Sequence, residues 1–399
     1  MQVIHFFKRA SILIVFMAWS GLGSSCNNQH GSRKFADILQ AKLDSIVQED
    51  SIPGITLSVQ FENGDAITLA SGFSDREKRI PMKPDQPMFS GSVGKTYVSA
   101  TVMKLYEEGK IDIHRKAIDY LKDETWFDSI PNARDFTVEM LMNHTAGVPE
   151  YAYYPEIWDK IHENSDKLWT AQERLSVVFN KPPAGLAGAA WNYSDSHYIV
   201  LGLLIEKITG KPYYTVLNDI MLKPLKLRRT FAANKRHFED LPAGYTTLSN
   251  ELNLPSKVSL NNTYCFNPQL EWTGGGLVSS VSDLTKWALA LYGGKVLNPE
   301  TAKMVTTSVK FETQLFERAK YGLGCIIGET NGVTYFGHTG FVPGFLTFLQ
   351  YIPEYRFAVA IQVNTDNRIT GNHVKVFMNK VKTSVRQYQI KEAKRVQLN

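Results

Sequence analysis

Three cysteines in 399 residues are too few for a disulfide scaffold. Cys26 ends an N-terminal apolar stretch, so only Cys265 and Cys325 belong to the body of the chain, and both are expected to be buried free thiols. Neither H-E-x-x-H nor paired C-x-x-C occurs, and the nine histidines are scattered, so no metal-site spacing exists. A Walker-type loop and a G-x-G-x-x-G turn are also missing, and no cofactor is indicated. Charge of one sign is scarce: 44 basic against 39 acidic residues leave +5, and no basic run is interleaved with aromatics, which argues against nucleic acid as a partner. Internal repeats and low-complexity segments are absent.

Long apolar runs are missing except at the start. His5, Lys8 and Arg9 precede ASILIVFMAWSGLG (10–23), which is short for a membrane span and is followed by small residues and Cys26. The pattern predicts a secretory signal over residues 1–26, and GSSC resembles a lipoprotein processing site, with Leu22 one position further upstream than usual. Lipidation of Cys26 would anchor the chain on the periplasmic side of a bacterial membrane, with residues 27–34 as a tether. The alternative is a plain cleaved leader that leaves Cys26 an ordinary thiol.

With 43% hydrophobic and 21% charged residues, what remains is long enough to bury a large core. Phe35, Ile38, Leu39, Leu43, Ile46 and Val47 recur at helical spacing and predict a helix over 35–48. ITLSVQF and AITLAS flank ENGD, a hairpin turning at Asn63 and Gly64. Residues 110 to about 270 read as mainly helical with Pro- and Gly-bearing loops. From 321 to 365 short apolar runs predict antiparallel strands, and Val374, Phe377, Val381 and Val385 form the stripe of a last helix. The expectation is one α+β domain over 35–387. Its antiparallel sheet is built from both chain ends (50–75 and 321–365) and flanked by helices, with a helical insertion and a polar basic tail at 388–399.

Three short motifs carry chemistry. FSGSVGKTYV (89–98) sets Ser92 and Lys95 one helical turn apart, on one face, where an amine can reach a hydroxyl that is a poor nucleophile alone. Serine is also a favoured helix cap, and one or two S-x-x-K matches arise by chance in such a chain. WNYSDSHY places Tyr193, Ser194 and Asp195 just before a helix. A phenol beside an ammonium can exchange a proton during acyl transfer. YFGHTGFVPGF puts His338, Thr339 and Gly340 at a strand end, where the first two can hold a substrate carboxylate and the glycine admits substrate backbone.

The order S-x-x-K, Y-S-D, H-T-G resembles that of the serine β-lactamase and DD-carboxypeptidase superfamily: class C β-lactamases, penicillin-binding serine hydrolases and related esterases. The handling of S-x-x-K as a nucleophile motif is general to that group. FTVEMLMNHTAGV (136–148) and GGGLVSSVSDLTKWALAL (274–291) resemble two supporting segments, so the likeness spans roughly residues 36–385. It implies a β-lactamase/transpeptidase-like fold, with Ser92 as nucleophile, Lys95 as its base and Tyr193 handling the leaving-group proton. It also implies an oxyanion hole from the backbone N–H groups of Ser92 and Phe341, and substrate contacts from Asp195, His338, Thr339 and Gly340. His144 is expected to pack structurally, and YAYY (151–154) to wall the pocket. Asp195 stands where asparagine is usual and His338 where class C enzymes carry lysine. An ionised Asp195 favours the Lys95 ammonium, and histidine is only fractionally charged at pH 7. These departures favour a hydrolase of D-alanyl peptides or esters, with β-lactam hydrolysis as the alternative; the expectation is a monomer that needs no metal or cofactor. A penicillin- or muropeptide-binding lipoprotein without turnover is the second alternative.

Overall fold

The computed structural model describes residues 22–311, 313 and 319–397, with the side chains of 22–32 and 395–397 left out. The predicted leader therefore lies almost wholly outside the described residues, as does the Cys26 side chain. Among the described residues no helix is long and apolar enough to cross a membrane.

An eight-stranded antiparallel sheet organises the domain. Its strands are β1 (Gly54–Phe61), β2 (Ala66–Asp75), β3 (Ile80–Pro81), β4 (Lys320–Tyr321), β5 (Ile326–Thr330), β6 (Val333–Val342), β7 (Phe345–Ile352) and β8 (Phe357–Val363), in spatial order β3-β2-β1-β8-β7-β6-β5-β4. The two chain ends meet where β1 pairs with β8, Ile55 opposite Val363 and Phe61 opposite Phe357. The sheet is thus completed by both termini, as expected, and the hairpin turns at Asn63–Gly64.

Strand alternation sorts β1 between two layers. Ile55, Leu57 and Val59 face α1 (Leu22–Glu49), through Phe35, Leu39, Leu43 and Ile46. They also face the C-terminal helix (Arg368–Gln397), through Val374, Phe377, Val381 and Val385. Each such side chain taken from water contributes roughly 1.5–3 kcal/mol before ordering costs. Ser58 and Gln60 point the other way and bond Thr285, at 3.0 and 3.2 Å, in the helix Val281–Tyr292. That helix belongs to the large second core, where Trp287 stacks on Tyr97 at 3.9 Å and donates to Thr96 Oγ1 at 2.8 Å. Tyr97 lies on α2 (Gly94–Glu107), the helix that carries Lys95.

Three segments add detail to the sequence reading. The backbone of residues 27–34, read from sequence as a tether, is helical within α1, which starts thirteen residues before the predicted Phe35. Residues 388–397 continue the last helix because Tyr388 stacks on Phe35 at 4.4 Å and so keeps the polar end docked. Residues 110–270 contain short strands (230–232, 259–260, 263–264) and long irregular stretches between brief helices, because their glycines and prolines interrupt the helical pattern. Cys325 is buried and Cys265 only partly so; both are free.

Candidate active site

Ser92 sits in a 3₁₀ turn, Gly91–Val93, that runs straight into α2. From Gln86 to Ala100 it is the single residue not fully buried, so its hydroxyl opens to substrate from a rigid base. A small sheet holds that base: Met88–Phe89 pairs with Leu277–Ser279, and both the backbone N–H and the hydroxyl of Ser90 donate to Leu277 O. Glycines let three backbones converge here. A Cβ on Gly275 would lie 2.6 Å from Gly91 C, and one on Gly340 would lie 1.8 Å from Ser90 O. Both neighbours are main chain and have no rotamer to yield. The same closeness brings Phe341 N against the Gly91–Val93 turn, 2.5 Å from where a Gly91 Cβ would stand. The N–H groups of Ser92 and Phe341 thus belong to adjoining segments, as an oxyanion hole requires.

Lys95, on the first turn of α2, is completely buried. Its Nζ lies 2.9 Å from Ser92 Oγ and 2.5 Å from Asp195 Oδ1, and it also donates to Gly274 O. Ser92 Oγ and Gly274 O accept from this ammonium, Asp195 pairs with it as an ion, and Tyr193 is a further hydrogen-bonding neighbour. Burial alone would lower the Lys95 pKa, but the Asp195 carboxylate, with Tyr193 behind it, overrides burial and holds it well above the ordinary lysine value. The Tyr193 phenol is pushed up by burial and next by Asp195, against the pull of Lys95, whose Nζ stands 5.0 Å from its ring centroid. The resting site therefore holds an ammonium and a neutral phenol.

Tyr193 and Asp195 reach this point from the N-terminus of the helix Asp195–Thr209. Ser194 is its N-cap residue but makes no side-chain cap. The Asp195 N–H is instead taken by Glu150 Oε2, while Glu150 Oε1 accepts from Ala152 N at 2.9 Å. Burial, then the neighbouring Asp195 charge, raise the Glu150 carboxyl to about 8, and the same two causes raise Glu271 to about 7. Neither glutamate belongs to a motif. Residues 150 and 271 are 121 positions apart and only the fold brings them beside Lys95; the one sequence signal was that each adjoins a motif segment. Of YAYY, Tyr151 is buried with its hydroxyl on Leu270 O, whereas the Tyr153 side chain is 85% exposed, its phenol raised first by partial desolvation and then by the Glu150 and Asp195 charges.

His338 does not present a cation. Its ring is buried, Nδ1 donates to Thr339 O at 2.6 Å and Nε2 accepts from Tyr321 Oη at 2.9 Å. Burial, followed by the Lys95 charge, lowers its pKa to about 3. Both nitrogens are used, so the ring braces β6 and leaves a substrate carboxylate no charge to bind. Among the described residues no cluster of His, Cys, Asp and Glu is arranged to hold a metal ion.

The comparisons with known proteins agree with this architecture. The family model described as Beta-lactamase matches residues 39–375. Penicillin-binding protein 4 of Amycolatopsis lactamdurans is 24% identical over 334 residues, covering 82% of this chain and 84% of that protein. A D-stereospecific amidohydrolase from Streptomyces sp. superposes with TM-score 0.71 at 27% identity, over 82% of this chain and 94% of its own. The D-amino acid amidase of Ochrobactrum anthropi SV3, complexed with L-phenylalanine amide, shares the fold at TM-score 0.77 and 21% identity, over 89% of this chain and 99% of its own.

Proposed function

This chain belongs to the beta-lactamase family, is a serine hydrolase acting on amide or ester bonds, and, we propose, works through an acyl-enzyme on Ser92. The observation that carries the mechanism is the partly exposed Ser92 hydroxyl held 2.9 Å from a buried lysine, with Tyr193 over that lysine. For attack, Lys95 must be in its free-base form to take the Ser92 proton; Tyr193 then returns a proton to the leaving group. The Ser92 and Phe341 N–H groups receive the oxyanion, an interaction whose loss costs about 2.7–4 kcal/mol in a comparable site. Lys95 then passes its proton to Tyr193; water attacking the Ser92 ester gives a proton to Lys95, and as the acid departs the Lys95–Tyr193 pair returns a proton to Ser92 Oγ, which restores the enzyme.

The charge balance supports a particular substrate class. The Lys95 ammonium, already paired, faces the Asp195, Glu150 and Glu271 carboxyls; Arg174, which also acts on Glu271, has its guanidinium on the Leu270, Trp169 and Gln269 carbonyls, and burial holds the pKa values of His338, His144 and His197 low. Burial and Asp195 raise the Glu150 and Glu271 carboxyls despite the pull of Lys95, and of Arg174 on Glu271, so a substrate ammonium would be a favourable further partner for both. A free carboxylate on the substrate would face the Asp195, Glu150 and Glu271 carboxyls, with the Lys95 ammonium already paired. We therefore read the substrate as an amide or ester of a D-amino acid with a free amine, in keeping with the names of the amidohydrolase and the amidase, and place D-alanyl peptides cut at a free carboxyl end and β-lactams behind it. Hydrolysis of D-alanine p-nitroanilide, its N-acetyl derivative and a chromogenic cephalosporin tests this. The free-amine substrate should have the highest kcat/KM, and a preference for the N-acetyl compound would reverse the reading.

Export and membrane anchoring through an acylated Cys26 are a further proposal, supported by the basic, apolar and small-residue order of residues 5–26. Incorporation of labelled palmitate, lost in Cys26→Ser, checks it.

A further inference from the structure

We infer that His144 is the positioning residue for Tyr193, an inference that rests on the acyl-enzyme reading above. His144 follows the short helix Val138–Met142, is fully buried, and has a left-handed backbone at φ 62. Tyr193 itself is the middle of three residues whose outer two are both fastened to this one histidine. The N–H of Asn192 donates to His144 O at 2.8 Å, and the N–H of Ser194 donates to His144 Nδ1 at 3.2 Å. Between these bonds the Tyr193 ring lies on the His144 ring, centroids 4.2 Å apart and planes tilted by 36°.

The neighbouring bonds extend the clamp. Ala184 N donates to Gly147 O at 2.9 Å and Gly188 N to Thr145 O at 2.8 Å, so residues 144–147 template the loop that ends at Tyr193. His197 completes it: its Nε2 accepts from Val148 N at 3.1 Å, so its proton is on Nδ1 and points at His144 Nδ1, 3.1 Å away. His144 Nδ1 thus shares its one lone pair between the two donors, and the ring's own proton is on Nε2, which is buried without a hydrogen-bond partner among the described residues. Only the neutral ring can do this. The groups facing it are His197, the Lys95 ammonium and His338, and burial, followed by electrostatic interaction with these three, keeps its pKa well below the ordinary histidine value.

A ring that merely fills space would be replaceable by any side chain that keeps the fold. A positioning acceptor would not, and its loss should act through the Tyr193 hydroxyl. Asparagine tolerates the left-handed backbone and places an acceptor oxygen much where Nδ1 stands. The test is a double-mutant cycle of His144→Ala and Tyr193→Phe on p-nitrophenyl acetate hydrolysis, with thermal melting of each variant and Ser92→Ala alongside. His144→Ala should lower kcat by about 10²-fold with KM within about twofold, as expected for a roughly 1 Å misplacement. His144→Asn should recover kcat to within about tenfold, and in the Tyr193→Phe background His144→Ala should cost less than about threefold. Equal losses in both backgrounds, or a loss confined to KM, would overturn the inference. Should His144→Ala not fold, the cycle with His144→Gln, whose acceptor is one methylene further out, decides it by the same two criteria. If Tyr193→Phe or Ser92→Ala keeps full activity, the acyl-enzyme reading fails instead. If both are impaired and His144→Ala is not, only the present inference fails.

Discussion

Replacing Asp195 by asparagine should make the enzyme faster on neutral esters and worse at holding amines. Asp195 Oδ1 lies 2.5 Å from a fully buried Lys95 Nζ, and this carboxylate is what keeps the lysine charged despite burial. Unit charges about 4 Å apart at an effective dielectric of ~20 attract by about 4 kcal/mol, equivalent to about three pKa units. Part of this is given back, because Glu150 and Glu271 ionise more readily once the Asp195 charge is gone. A net fall of about one to two units remains, and the free-base fraction of Lys95 at fixed pH rises about 10- to 100-fold. The assay is kcat/KM for p-nitrophenyl acetate from pH 6 to 10, beside KM for D-alanine p-nitroanilide. Asp195→Asn should raise the ester rate by about tenfold at pH 8, raise cephalosporin turnover in the same direction, and raise KM for the amine substrate. An ester rate unchanged or lower at every pH would refute the assignment of Lys95 as the base that Asp195 restrains.

Gly340→Ala places a methyl 1.8 Å from Ser90 O, so β6 must retreat from the nucleophile turn; kcat should fall about 10²-fold, checked by steady-state kinetics with the melting temperature as control. Glu271→Gln tests linkage. A carboxyl whose folded pKa is raised to about 7 destabilises the fold progressively as pH climbs from the ordinary carboxyl value to about 7, and by a constant amount above that. The variant should therefore match the parent in denaturant midpoint near pH 4.5 and exceed it at pH 8. Binding of D-alanine amide should release protons near pH 7, measurable as buffer-dependent heats, since an ammonium favours ionised Glu150 and Glu271.

Much of the fold was legible because its signals are local. The 3.6-residue stripe of Phe35, Leu39, Leu43 and Ile46 and the period-2 pattern of β1 each report which face meets the core, and the Asn63–Gly64 turn marks the first hairpin. The ends of both terminal helices were not, since the Tyr388–Phe35 stack that carries the last helix beyond residue 387 joins residues 353 positions apart. The motif order singled out Ser92, Lys95, Tyr193 and Asp195, and the structure brings them within one hydrogen-bonded group. His338 was legible as a residue but not as a neutral one. Its state depends on Tyr321 and on burial, and neither is written in H-T-G. His144 stood in a recognisable segment while its bonds to both neighbours of Tyr193 became visible only in three dimensions.

The central claim is a covalent bond to one atom, Ser92 Oγ. Acid quenching the enzyme during turnover of a p-nitrophenyl ester, followed by intact mass and peptide mapping, measures it directly. The account predicts a single added acyl group on the peptide that contains Ser92, absent in Ser92→Ala. An adduct on another residue, or equal labelling of Ser92→Ala, would contradict it.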